Sequence, residues 1–133
     1  MENVNSRFFD GAYKEIWRAF IPNGLTLAEN EYIPKECNLQ EGSTVLDIMC
    51  GYGRNTLGLA RKGMAVTAVD NCTDYINEIK LTAAAENLPV ECLETDVLSF
   101  KTNKKFDAAI CLGNSFSFFN KEVPGYTNVS SIL

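Results

Sequence analysis

The sequence predicts an α/β fold built on a parallel sheet, and three observations carry that prediction. Short apolar runs rich in β-branched residues alternate with longer stretches of helical periodicity, the pattern of successive βαβ units. The first run, Thr44 to Ile48, turns on two glycines one residue apart, Gly51 and Gly53, and leaves as a helical pattern from Asn55 to Lys62. Strand, glycine turn and helix is how an open α/β sheet builds a ligand site at the carboxyl ends of its strands. Finally, acids recur where the runs end: Asp47, Asp70 and Asp96.

Taken in order, residues 6 to 20 read as a helix, because Phe9, Tyr13, Ile16, Trp17 and Phe20 share one face. That face either packs on the sheet or, at Tyr13 and Trp17, roofs a ligand pocket. Pro22-Asn23-Gly24 is a turn. Thr26 and Glu29 have capping-box spacing and open a second helix, which Pro34 kinks or restarts. Glu41-Gly42 turns the chain into the first strand. The helix after the glycine turn has Leu57 and Ala60 as apolar positions and is closed by Gly63. Met64 to Asp70 is a second buried strand ending in an acid. Asp70 either accepts the hydroxyls of a ribose, as an acid at this place does in several nucleoside-binding folds, or caps the next helix. Residues 72 to 87 are helical, with Tyr75, Ile76, Ile79, Ala83 and Ala84 as the apolar stripe and Asn87 at the end. Pro89 to Leu93 is a short third strand. Beyond it, Asp96 either accepts from the exocyclic amine of an adenine, with Val97 against the ring, or is only a turn residue. Phe106 to Leu112 is the fourth strand, apolar on both faces, and it runs into Gly113-Asn114-Ser115-Phe116, which suits a wall between a cofactor and a second substrate.

The glycine turn narrows the ligand. A dinucleotide fingerprint needs a third small residue three after the second glycine, and that place is Thr56. The Asp47 carboxylate would repel a pyrophosphate by ~1 kcal/mol or more, and it would attract a cation. A ligand with an ammonium and a sulfonium fits this electrostatics better than one with two phosphates. The other readings are a dinucleotide site, or a plain tight turn in which Asp47 caps backbone N–H groups.

Composition bounds the classes. The chain of 133 residues suffices for one domain, divided into a helical segment (1–40), an α/β core (41–120) and a tail (121–133). With 46% hydrophobic and 22% charged residues it is globular rather than disordered. A net charge of −5 and the absence of long Lys/Arg runs disfavour nucleic-acid and anionic-membrane partners. No apolar run approaches the ~20 residues of a membrane helix. The opening Met-Glu-Asn-Val-Asn-Ser has no signal-peptide apolar region, and the five cysteines form neither a C-x-x-C pair nor a disulfide framework, so the expectation is a reducing cytoplasm. There is no histidine. Imidazole general-base chemistry, a Ser-His-Asp triad and the helical zinc motif are thereby excluded.

The acids at three strand ends, the Asp47-Ile48-Met49-Cys50-Gly51-Tyr52-Gly53 turn and the Leu112-Gly113-Asn114 end together resemble the class I S-adenosylmethionine-dependent methyltransferases. The first motif of that family, D-x-G-C-G-x-G, stands here as D-I-M-C-G-Y-G, and the resemblance spans about residues 13 to 120. The stretch from Tyr13 to Glu29 and the end at Gly113 to Phe116 look like the branch acting on small molecules. The resemblance implies a Rossmann-like parallel sheet with helices on both faces and strand order 3-2-1-4, lacking the C-terminal strands of the full methyltransferase fold. It implies S-adenosylmethionine as cofactor and a small-molecule methyl acceptor. Asp47 would hold the methionine ammonium, directly or through water. Gly51 and Gly53 would allow close backbone approach, and Tyr13 would lie against the ligand. Asp70 would bind the ribose with Asn71 and Cys72 nearby, Asp96 and Val97 the adenine, and Leu112 and Gly113 would flank the methionine and sulfonium. No residue is marked as catalytic. Two departures stand out. Met49 replaces the first glycine of the motif, and the sequence stops after the fourth strand of a seven-strand sheet. An apolar fourth strand left at an edge is a hazard in water, so a two-fold homodimer pairing that strand with its copy is expected, or else a tail folded back over it. The competing expectation is a binding module for S-adenosylmethionine or its demethylated product that does not turn over, or a fragment that needs a partner chain.

Overall fold

The computed structural model describes residues 15–16, 18–19, 21 and 24–112. Four strands, β1 Thr44–Ile48, β2 Ala65–Asp70, β3 Val90–Glu94 and β4 Ala108–Ile110, form one parallel sheet in the order β3-β2-β1-β4. This is the 3-2-1-4 order that the resemblance implies. Three helices accompany them: α1 Leu25–Glu36, α2 Arg54–Arg61 between β1 and β2, and α3 Thr73–Glu86 between β2 and β3.

β1 is central because both its faces are apolar. Val45 packs on one side with Ile33 of α1, Leu59 and Ala60 of α2, and Val66 of β2. Leu46 and Ile48 alternate to the other side and pack with Val69, Val97 and Phe100. Among the described residues that second face is covered by the irregular β3–β4 crossover, residues 95–107, rather than by a helix.

β4 is shorter than the seven-residue strand expected at Phe106 to Leu112. Its ladder on β1 runs only from Val45↔Ala108 to Asp47↔Ile110. Phe106 turns into the second core cluster. Asp107 is held at the start of β1: the Thr44 N–H donates to its Oδ2 at 2.8 Å, and the Asp107 N–H donates to the Thr44 carbonyl at 2.9 Å. That exchange fixes the register of β4 before the ladder begins.

The helices end alike. Asn38, Gly63 and Asn87 take left-handed backbone conformations, and the next residue in each case, Leu39, Met64 and Leu88, donates back five residues to Pro34, Leu59 and Ala83. This satisfies carbonyls that the last turn leaves open. Gly63 and Asn87 were expected in this role. The start of α1 corrects an expectation: Gly24, not Thr26, is the N-cap, and no side chain caps it. Thr26 and Glu29 do not form a capping box, because both face α2. Pro34 lies within α1 without breaking it. Of the helix expected over residues 6 to 20, Glu15, Ile16, Arg18 and Ala19 are helical and the remainder lies outside the described residues. Ile16, expected on the packed face, is 51% exposed. No helix among the described residues is long and apolar enough to cross a membrane.

Candidate functional site

β1 carries Asp47 up to the carboxyl end of the sheet and buries it, leaving it 3% exposed. The chain then turns through Met49, Gly51 and Gly53, with φ of +54°, +61° and +88°, into the first turn of α2. The turn is tied to the sheet. Cys50 N–H donates to the Val69 carbonyl at 3.1 Å, and Gly53 N–H donates to the Cys50 carbonyl at 3.2 Å. The two glycines serve different purposes. A Cβ on Gly51 would meet nothing within 4 Å among the described residues, so that position is uncrowded by the sheet and helices around it. A Cβ on Gly53 would come within 2.5 Å of Ile79 Cγ1, so its bareness also admits α3.

Met49 takes a left-handed backbone conformation, one that glycine adopts without strain. Its side chain packs against the Leu46, Ile48, Val69, Val97 and Phe100 cluster, which takes it down onto the sheet.

The acids are unevenly satisfied. Asp47 Oδ2 accepts from Thr56 Oγ1 at 2.5 Å, and Thr56 is itself fully buried in α2. Burial pushes the Asp47 carboxyl up to about 7; the Thr56 hydroxyl opposes this, the Asp70 charge adds to it, and the Arg54 charge opposes it. Asp70 ends β2, with Oδ2 accepting from Gly51 N–H at 3.0 Å and Oδ1 from Cys72 N–H at 2.9 Å. It therefore joins the glycine turn to the start of α3, whose N-cap is Cys72, buried and without a side-chain cap bond. Burial also raises the Asp70 carboxyl, opposed by the N–H groups of Cys72, Gly51 and Asn71. Two carboxyls held up by burial, on adjacent strand ends, make a place where a cation lowers the energy.

Asp96 follows β3, and its Oδ1 accepts from Leu98 N–H at 2.9 Å, so it does serve a local turn. Val97 is 4% exposed and packs into the core beneath, whereas Leu98 is half-buried. Leu112 is half-buried against the α1–α2 side of the core. Tyr13 and Gly113 lie outside the described residues. Asp47, Met49, Gly51, Gly53, Asp70, Asn71, Cys72, Asp96, Val97 and Leu112 therefore share one end of the sheet, as strand ends of a parallel sheet must.

Several residues were not foreseen. Arg54, the first residue of α2, donates through NH1 to Glu29 Oε1 at 2.5 Å and Thr26 Oγ1 at 3.2 Å. Beside it, buried Asn55 donates to buried Asn30 at 3.2 Å, and a Cβ on Gly58 would overlap the Asn30 amide. This polar seam seats α1 behind the glycine turn. The T-x-x-E spacing was its one sequence signal, and it pointed to a cap. On the other flank, Arg18 lies over the Tyr52 ring, 4.3 Å from its centroid.

A family described as a methyltransferase domain matches residues 45–133. The ubiquinone biosynthesis O-methyltransferase of Actinobacillus pleuropneumoniae is 27% identical over 125 residues, covering 84% of this chain and 53% of its own length. A solved structure of coclaurine N-methyltransferase bound to N-methylheliamine and SAH is 28% identical with a TM-score of 0.61, covering 65% of this chain and 26% of that one. A solved structure from Methanococcus maripaludis has a TM-score of 0.71 at 18% identity, covering 94% of this chain and 59% of that one, a likeness of fold alone. The chain spans about half, or less, of the length of the curated relatives it matches.

Proposed function

The chain belongs to the methyltransferase-domain family, and from that premise we propose that it binds S-adenosylmethionine over the ends of β1 and β2 and presents the methyl group to a small-molecule acceptor. The observation that carries this reading is the pair of acids, buried Asp47 and half-buried Asp70, on either side of a glycine turn where no described residue crowds Gly51. A pyrophosphate would meet two carboxyls there, whereas an ammonium relieves Asp47 and ribose hydroxyls donate to Asp70.

The donor set fits such a ligand. Asp47 holds the ammonium, directly or through water. Asp70 uses its remaining lone pairs for the ribose hydroxyls, with Asn71 and Cys72 beside it. Asp96 takes the adenine amine, and the ring lies on Val97 and, with more surface to offer, Leu98. Leu112 stands by the methionine portion. When bound, the cofactor supplies a sulfonium-activated methyl group open to in-line displacement. The chain's own part is to orient the ligand and keep water out. Three thiols near the strand ends are poor nucleophiles in their surroundings: burial pushes Cys111 up to about 11 and raises Cys50 and Cys92 as well. The residues named here supply placement, and the sequence holds no histidine to act as an imidazole base. Five free cysteines support a reducing, cytoplasmic setting.

A second reading is binding of the cofactor without turnover or as one half of a larger assembly, since no residue here is marked as a catalytic base. A copy of the chain along the side of β4 that is unpaired among the described residues is the macromolecular partner we propose. Titration calorimetry with S-adenosylmethionine, S-adenosylhomocysteine and NAD tests the ligand: the two adenosyl compounds bind and NAD does not, and D70A weakens binding by more than ~1 kcal/mol. Binding of NAD alone overturns the reading. A methyl-transfer screen over small acceptors separates enzyme from binder.

A further inference from the structure

Between the two positive-φ glycines of the turn, Gly51 and Gly53, stands a large side chain, Tyr52. Three elements meet on that ring. Arg18 stacks its guanidinium on one face at 4.3 Å. Tyr75, in the first turn of α3, meets it edge-on, with centroids 6.3 Å apart and planes at 66°. Glu78, three residues further along α3 and so on the same face as Tyr75, takes the Arg18 guanidinium in an ion pair. Ile79, the next residue, lies against Gly53. The row Tyr75, Glu78, Ile79 thus backs the turn, and Arg18 ties the segment that carries it to both.

The pairing also disposes of a charge. A bare guanidinium beside a cationic ligand would repel it, but Glu78, with Glu15 at 3.9 Å, neutralises Arg18 where it stacks. The planar guanidinium can then act as a flat, neutralised cover on the ring rather than as a field opposing the ligand.

We propose that Arg18 is a positioning residue for the adenosyl ligand, clasping the segment around it across the glycine turn through Tyr52 and Glu78. This rests on the reading of the turn as an S-adenosylmethionine site and adds a residue to it. Arg18 need not touch the ligand. It holds Tyr52, and with it the backbone of Gly51 and Gly53, against α3. Its loss should therefore speed ligand escape more than it slows entry, and it should leave the core intact, since Arg18 is more than a third exposed.

The test is stopped-flow and calorimetric binding of S-adenosylhomocysteine to the parent chain, R18A, R18K, Y52L and the R18A/Y52L pair. The emission of Trp17, the single tryptophan and the neighbour of Arg18 in sequence, serves as a second readout. R18A is expected to raise Kd about tenfold, about 1.4 kcal/mol, almost wholly through the off-rate, with an unchanged unfolding midpoint and a shifted Trp17 emission. R18K, which keeps the charge without the planar face, should recover only part of the affinity. The double variant should bind no more weakly than Y52L. Parent binding with R18A unchanged, or with additive losses in the double variant, overturns this proposal alone. No binding by a folded parent chain overturns the ligand reading, and this one with it.

Discussion

At Asp47 a carboxyl sits where water barely reaches, with one hydroxyl donor, Thr56, within bonding distance. Its ordinary value of 3.8 is pushed up to about 7 by that burial. The folded state therefore binds the extra proton between those two values. The stability contribution is complete below about pH 4 and is lost as pH rises through about 7. Asp70, also raised, acts in the same direction. Chemical denaturation should show a higher midpoint near about pH 5 than near about pH 8, and D47N should flatten most of the difference. A bound ammonium would pull the Asp47 proton off, so affinity for S-adenosylmethionine should rise over the same interval. Calorimetry in buffers of different ionisation enthalpy should record proton release near about pH 6. Uptake of protons instead would contradict a cation at Asp47. Met49 makes a separate prediction. A side chain at φ +54° costs ~1–2 kcal/mol, and the packing of Met49 offsets it. M49G should stay within ~1 kcal/mol of the parent, while M49V, branched at Cβ, should lose ~2 kcal/mol or more; equal losses would contradict the strain. The acids were legible in the sequence because each closes an apolar run. Thr56 was not, because its partner is set by how α2 folds back over β1, which no local pattern records.

The elements divide along similar lines. β1, β2, α2 and α3 came within one residue of their expected bounds, since apolar periodicity and left-handed end residues are local signals. β4 did not, because its length is decided by its pairing with Val45 to Asp47 and by the Asp107–Thr44 exchange. The misread T-x-x-E at α1 has the same origin: Thr26 and Glu29 answer to Arg54, a residue on another element. The seam between α1 and α2 can be tested at Gly58. Helix propensity alone predicts that G58A gains about 1 kcal/mol. Because the added Cβ overlaps the Asn30 amide, we expect a loss of ~1–3 kcal/mol instead. N30A should remove that penalty, so the double variant is no less stable than N30A alone. A stabilised G58A would mean that Asn30 does not occupy the notch.

For the whole molecule, the order β3-β2-β1-β4 followed from the family resemblance rather than from periodicity, which says nothing of which strand lies beside which. β4 pairs on one side only among the described residues. A second copy pairing along it predicts a dimer mass by light scattering, and a strict monomer mass at every working concentration removes that pairing. A three-residue strand offers few backbone groups, so the dimer is expected to dissociate on dilution. The larger claim is that a positively charged nucleoside lies across the strand ends, held by backbone at the glycine turn and by acids on either side. The structure of the chain crystallised with S-adenosylhomocysteine tests this most directly. The account predicts the ribose hydroxyls on Asp70, the ammonium within reach of Asp47, and the ligand backbone over Gly51 with the Met49 side chain turned down onto the sheet. A ligand bound elsewhere, or a Met49 side chain standing in the space above Gly51, would contradict it.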